Sequence, residues 1–273
     1  MTLTEGQNGH LGADPWAVLR AATRARVALG RAGDGLPTAR ELEFRAAHAA
    51  ARDAVHDALD VDLLRSALAG LEVLEVHSAA PDRATYLQRP DLGRRLAEGT
   101  DLPRVDADLG IVVADGLSPR AVHEHAAGVV TALRERLPGW SVAPVVLAAQ
   151  ARVGLGDEIG AALGVRAVVV LIGERPGLSA ADSLGCYLTW DPRPGRADSE
   201  RNCVSNVRPP HGLSYEQAGD VVARLLTAAH ELGASGVALK DEGPEAVEHQ
   251  TGKVPSTCPS SCLRPDGRAL ARR

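Results

Sequence analysis

Aromatic side chains are scarce, with three Trp, three Tyr and one Phe in 273 residues, so the interior has to be built from Leu, Val, Ile and Ala. Positive charge is not in excess either: 30 Lys and Arg against 35 Asp and Glu leave a net charge of −5, which argues against nucleic acid or an anionic membrane as partner. The longest purely apolar run, Ala167 to Ile172, falls far short of the roughly 20 residues that span a bilayer. The start Met1-Thr-Leu-Thr-Glu-Gly-Gln7 lacks the charged-then-apolar layout of a secretory signal. Four cysteines, Cys186, Cys203, Cys258 and Cys262, are too few and too C-terminal for a disulfide framework, which fits a reducing cytoplasm. Cys258 and Cys262 have no further Cys or His at finger spacing, so no metal site is expected there. No Gly-x-Ser-x-Gly, His-Glu-x-x-His or Walker-type loop occurs, which disfavours a self-contained hydrolase or NTPase.

What remains is ordinary globular composition, 45% apolar and 24% charged. Residues 1–13 are polar, without apolar period, and read as a flexible arm. Asp14-Pro15 opens a helix, with Asp14 as N-cap and Pro15 at the first helical position, that runs to about Leu29. After the turn chemistry of Gly30 to Pro37, Thr38-Ala-Arg-Glu41 reads as a capping box heading an Ala-rich helix to about Leu59. His48 and His56 on that helix do not share the i, i+4 spacing of a ligand pair and read as surface or boundary residues. Leu71 to His77 alternates like a half-buried strand. Arg89-Pro-Asp-Leu-Gly-Arg-Arg95 follows, either an anion clamp of three guanidinium groups or a loop pinned by Asp91. Residues 14–100 are thus expected to form a helical N-terminal region with an arginine-rich loop.

From residue 101 the chain alternates strand and helix. Ile111 to Ala114, Val145 to Leu147, Val168 to Ile172 and Cys186 to Trp190 are apolar strand candidates. Helices follow from Ser118-Pro119, from Gly154 to Leu163, and from a Ser214/Gln217 capping box to Gly233. The fold class expected is α/β: an open, mainly parallel Rossmann-like sheet over 101–239 with helices on both faces. Cys203, in Arg201-Asn-Cys-Val-Ser-Asn206, is placed in a polar connection, and His123 and His125 cannot share a helical face. Beyond Lys240 prolines recur and apolar residues thin out, so 240–273 reads as a disordered tail.

Ligands of open α/β sheets settle beyond the carboxyl ends of the strands. Three loops are expected there: Asp115 to Ser118, Arg152 to Gly156, and Gly173 to Leu178. Gly154-Leu-Gly156-Asp-Glu-Ile-Gly160 with Glu174 downstream imitates a dinucleotide fingerprint, but its third glycine is one residue late. Its alternative is a set of glycines that let a helix pack closely on the sheet.

Six blocks carry a more specific likeness: Tyr86 to Leu96, Val113 to Ser118, Gly156 to Gly160, Leu171 to Leu178, Ser183 to Tyr187 and Cys203 to Asn206. In that order the sequence, from about residue 15 to 239, resembles the small (light) chain of ethanolamine ammonia-lyase. The resemblance implies an adenosylcobalamin-dependent elimination of ammonia from ethanolamine to give acetaldehyde. In that family the large (heavy) chain, a TIM barrel, holds the substrate and performs the radical chemistry, and the small chain helps enclose the cobalamin at the subunit boundary. By motif, the cofactor contacts implied are Val153, Glu174 and Cys203, with no catalytic residue and no metal ligand in this chain, so the cobalamin stays base-on. His123-Glu-His125-Ala-Ala-Gly128 departs from the Asp-x-His-x-x-Gly of base-off enzymes. The implied assembly is a hetero-oligomer in the cytoplasm. A bacterial microcompartment is the family's other address, although this N-terminal arm is short for an encapsulation signal. Two rival readings are a Rossmann-type NAD-dependent oxidoreductase using Gly154, Gly156 and Glu174, and a non-catalytic assembly subunit.

Overall fold

A computed structural model describes residues 16–241 and 243. The segments read as arm (1–13) and, save for residues 240, 241 and 243, as tail lie outside the described residues, as do Asp14 and Pro15.

Six strands form one sheet: β1 (Val73–His77), β2 (Leu109–Ala114), β3 (Val145–Ala149), β4 (Ala167–Gly173), β5 (Leu184–Trp190) and β6 (Arg201–Val207), in the order β1-β3-β2-β4-β5-β6. β1, β3, β2 and β4 are mutually parallel, with Val112 opposite both Val146 and Val170. β5 runs antiparallel to β4, and β6 antiparallel to β5. The α/β class therefore holds, but the expected mainly parallel Rossmann-like sheet is replaced by a mixed one. The cause is connection length: residues 174–183 and 191–200 hold no helical crossover and are shorter than the dozen or so residues a parallel return needs, so each strand folds back beside its predecessor.

Seven α-helices are described. α5 (Pro119–Arg136) starts where Ser118 accepts from the Ala121 amide, with Pro119 at the first turn. α7 (Tyr215–Leu232) carries the reciprocal Ser214/Gln217 capping box and ends at Gly233 in the left-handed region (φ 70°), as its sequence foretells. These two helices pack on one sheet face, where Leu133, Val129, Leu225 and Leu226 meet Ile111, Val169, Leu171 and Leu188, and Leu64 of α3 (Val61–Ala67) joins them. α6 (Leu155–Leu163) covers the other face with Leu155, Ile159 and Leu163 on Val112, Val168 and Val170.

The N-terminal helices differ from expectation. α1 spans only Ala17–Ala22 and buries nothing, and beyond it Thr23 Oγ1 accepts from the Ala25 amide, offering the backbone an alternative to helix. α2 (Thr38–His56) has Pro37, not Thr38, at the N-cap, because the Pro37 carbonyl already accepts from the Arg40 and Glu41 amides. Glu41 pairs with Arg45 at 2.6 Å instead of closing a capping box. α4 (Arg83–Gln88) and a single 3-10 turn, Leu92–Arg94, carry the arginine-rich loop.

Candidate functional site

Five connections meet at the carboxyl edge of the parallel strands: residues 78–82, 115–118, 150–154, 174–183 and, after β6, 208–214. Two glycines allow main chain to cross main chain there. A Cβ on Gly116 (φ 56°) would stand 2.3 Å from the Gly173 carbonyl oxygen, and one on Gly173 would stand 2.0 Å from that of Ser118. The Leu117 amide bonds the Gly173 oxygen at 2.9 Å, so the end of β4 and the start of α5 are locked together.

Asp115, fully buried after β2, holds the next loop. Its carboxylate accepts from the Gln150 and Ala151 amides at 2.8 Å each and from Arg83 at 3.1 Å. Burial pushes this carboxyl above its usual range, against the pull of the Ala151 amide and Arg83. Gln150 takes a left-handed conformation (φ 54°), Tyr86 Oη donates to the Ala151 oxygen at 2.9 Å, and the Arg152 amide bonds the Gly93 oxygen at 2.8 Å. The loop that leads to Val153 and α6 is thus fixed at three consecutive residues, Gln150 to Arg152, before it reaches them.

The three sequence-derived contacts lie around one surface. Val153, half-buried, packs against the α6-side core together with Tyr187. Cys203, exposed on β6, stands opposite Tyr187 in the β5–β6 ladder. Glu174, directly after β4, is drawn across the end of β5: Ser183 Oγ donates to its Oε2 at 2.5 Å, Ser205 Oγ to Oε1, and the Asn206 amide to Oε2 at 3.2 Å. A Cβ on Gly185 would stand 2.9 Å from the Tyr187 ring and 3.1 Å from Glu174 Oε1, so glycine lets both lie flush on the strand. Among the described residues α6 packs on β4 and β2, which leaves Tyr187, Cys203 and Glu174 beside it on a part of this face that no described helix covers.

Cys203 was expected in a polar connection, and it instead sits in an edge strand. Only Val204 and Val207 of β6 are buried, so the strand has the polar composition of a loop. Its thiol is held above the ordinary range, first by desolvation and then by the charge of Glu174, against a hydrogen bond with Tyr187, and is neutral at pH 7.

The other motifs resolve as packing. A Cβ on Gly156 would come within 2.3 Å of Val170 Cγ2 and one on Gly160 within 2.6 Å of Pro192, so the glycines that imitate a dinucleotide fingerprint seat α6 on the sheet. Arg89 forms a two-point pair with Asp91 (3.0 and 2.7 Å), the pinned-loop alternative. Arg94 reaches the other way: its side chain lies against Gly154, and its Nη2 is 3.7 Å from Asp198. The sequence reading missed Ser183, Ser205 and Asn206 as partners of Glu174, and Tyr187 as the residue opposite Cys203. All four occur inside the quoted Ser183–Tyr187 and Cys203–Asn206 blocks, but only the β5–β6 register brings them together.

The family model for ethanolamine ammonia-lyase light chain (EutC) matches residues 13–240. A Rhodococcus erythropolis protein named ethanolamine ammonia-lyase small subunit is 55% identical over 235 residues, 84% of this chain and 90% of that one. Proteins of the same name from Xanthomonas campestris pv. campestris (54% over 241 residues; 84% and 88% covered) and Azotobacter vinelandii (52% over 254; 89% and 94%) align over the same extent.

Proposed function

This chain belongs to the ethanolamine ammonia-lyase light-chain family, and on that premise we propose that the uncovered β5–β6 surface is its half of an adenosylcobalamin site, completed by the large chain. The chain is the small subunit of an ammonia-lyase whose catalytic role sits in the large chain. The reaction is the conversion of ethanolamine to acetaldehyde and ammonia. No helix of the described residues is long and apolar enough to cross a membrane.

One observation carries the reading: although up to 50 positions separate them in sequence, Val153 packs with Tyr187 on the α6-side cluster, Cys203 stands opposite Tyr187 in the ladder, and Glu174 shares the Gly185 position with the Tyr187 ring. The donor and acceptor chemistry fits a corrinoid. Glu174 Oε2 already takes two hydrogen bonds and Oε1 one, so Oε1 retains acceptor capacity for an amide side arm of the ring. Tyr187, Val153 and Cys203 offer a flat, weakly polar surface, and Gly185 keeps it flat. When bound, the cofactor supplies the radical chemistry. This chain's residues orient it, and their apolar contact with the large chain keeps water away from it.

The test is reconstitution of this chain with its large chain and titration with adenosylcobalamin. Glu174→Ala is expected to weaken cofactor affinity about tenfold, roughly 1.4 kcal/mol, while the two chains still assemble. Unchanged affinity removes Glu174 from the site. Unchanged affinity after simultaneous substitution of Val153, Glu174 and Cys203 makes the chain an assembly subunit only.

A further inference from the structure

At the far end of the 174–183 connection a second group of side chains has no part in the proposed cofactor surface. We propose that Glu124 and His125 of α5 and Asp182 form a site for one divalent cation of the zinc type, which would tie α5 to that connection. One ligand atom from each of the three lies within 4.8 Å of the others. Acidic neighbours alone would not carry this, and the imidazole supplies the independent observation. His125 is 5% exposed, and its Nε2 makes no hydrogen bond of good geometry, although the main chain of Asp182 faces it.

The tautomer follows from its surroundings. Tyr215 Oη stands 3.3 Å from the Glu124 carbonyl and 3.0 Å from His125 Nδ1; when Oη donates to the carbonyl, Nδ1–H donates to Oη and the lone pair is on Nε2. A ring nitrogen fixed by a donor bond on its other side is the arrangement of a metal-binding histidine.

Nε2 lies 3.8 Å from Glu124 Oε2. That is too long for a hydrogen bond and close to the separation of two ligands that share an ion at about 2.0–2.2 Å each. Both carboxylates have one oxygen engaged and the other open. Arg120 Nε binds Glu124 Oε1 at 2.8 Å, and Arg208 Nε and Nη2 bind Asp182 Oδ1 at 3.0 and 2.6 Å. Guanidinium groups in that position orient the carboxylates as outer partners do in metal sites. They also cancel the two negative charges, so the affinity expected is well below that of a thiolate zinc site. Glu124 is exposed and Asp182 half-buried, which leaves an entry path and room for water at a fourth position.

The experiment uses the full chain in complex with its large chain, equilibrated with excess Zn2+, desalted and assayed for zinc per chain, with the thermal midpoint recorded before and after. The expected result is a bound equivalent that raises the midpoint, and loss of one equivalent and of that rise in both Glu124→Gln and His125→Gln. Should the buried His125 variant fail to assemble, the exposed Glu124 variant decides alone. Absence of bound zinc in the unaltered complex, or retention of every equivalent in Glu124→Gln, overturns the proposal and leaves His125 Nε2 to the facing main chain of Asp182. Cobalamin enters no step of the assay, so failure here is separate from failure of the cofactor site.

Discussion

The two faces of the sheet are built on different principles. On one, two 18-residue helices, α5 and α7, bury an unbroken apolar layer that extends from β2 to β6. On the other, the nine-residue α6 reaches β2 and β4, and the surface of β5 and β6 beside it is left to Tyr187, Cys203 and Glu174. The first face holds the molecule together, and the second presents it. The link between α6 and the open strands is ionic rather than apolar. Arg201 of β6 binds Asp157 of α6 at two points, 2.6 Å each, with both side chains no more than 4% exposed. The same guanidinium reaches Thr189 Oγ1 and the Arg196 carbonyl.

That difference sets the largest expected effect. Arg201→Met strands the Asp157 carboxylate in the interior and should cost about 3–5 kcal/mol in denaturant unfolding, because half of a buried pair is worse than none. Adding Asp157→Leu to the same chain should return most of the loss. A single variant that unfolds like the unaltered chain would mean that water reaches this pair and that the α6 face has no ionic lock.

On the packed face the expected loss has another origin. Leu133→Ala, at a fully buried α5 position against the sheet, should cost about 2–5 kcal/mol through lost transfer energy and a cavity, with cobalamin affinity unchanged. A fall in affinity at equal assembly would erase the division between a structural face and a binding face. Gly156→Ala comes next. Its methyl must displace Val170 Cγ2 from 2.3 Å, and moving α6 off the sheet should cost about 1–3 kcal/mol and also tilt Val153 away from Tyr187. This is the one substitution of the series expected to lower stability and cofactor affinity together.

The asymmetry also explains what could be read from the sequence. β2, β3 and β4 are buried on both sides and announce themselves as runs such as Leu109-Gly-Ile-Val-Val-Ala114, and the Ser118-Pro119 and Ser214/Gln217 signals mark the helices of the packed face. β6 hides because an edge strand with an open face needs apolar residues only at Val204 and Val207. The antiparallel return of β5 hides because strand direction is set by what the connection holds, and the strand's own pattern is indifferent to it. α1 and α2 were drawn too long or capped wrongly, since almost none of their residues is buried and local signals went unchecked by packing. Val153, Glu174 and Cys203 are proposed on the family blocks alone. The serine and amide donors that hold Glu174 need the sheet register before they can be found.

The smallest effect belongs to the open surface. Cys203→Ser replaces a thiol by a slightly smaller, more strongly hydrated hydroxyl at an exposed edge position, where substitutions cost within about 0.5 kcal/mol. The strand register is unchanged, and the serine hydroxyl can take over the side-chain hydrogen bond with Tyr187. If that edge is covered by a corrinoid and a second chain, however, the same hydroxyl must be desolvated on binding, and affinity should fall severalfold while the unfolding midpoint of the free chain stays put. A cofactor titration and a melting curve on one preparation therefore separate the two roles. Equal affinity at equal stability would place Cys203 outside the cofactor's footprint and shift the binding surface toward the Glu174 end of β5.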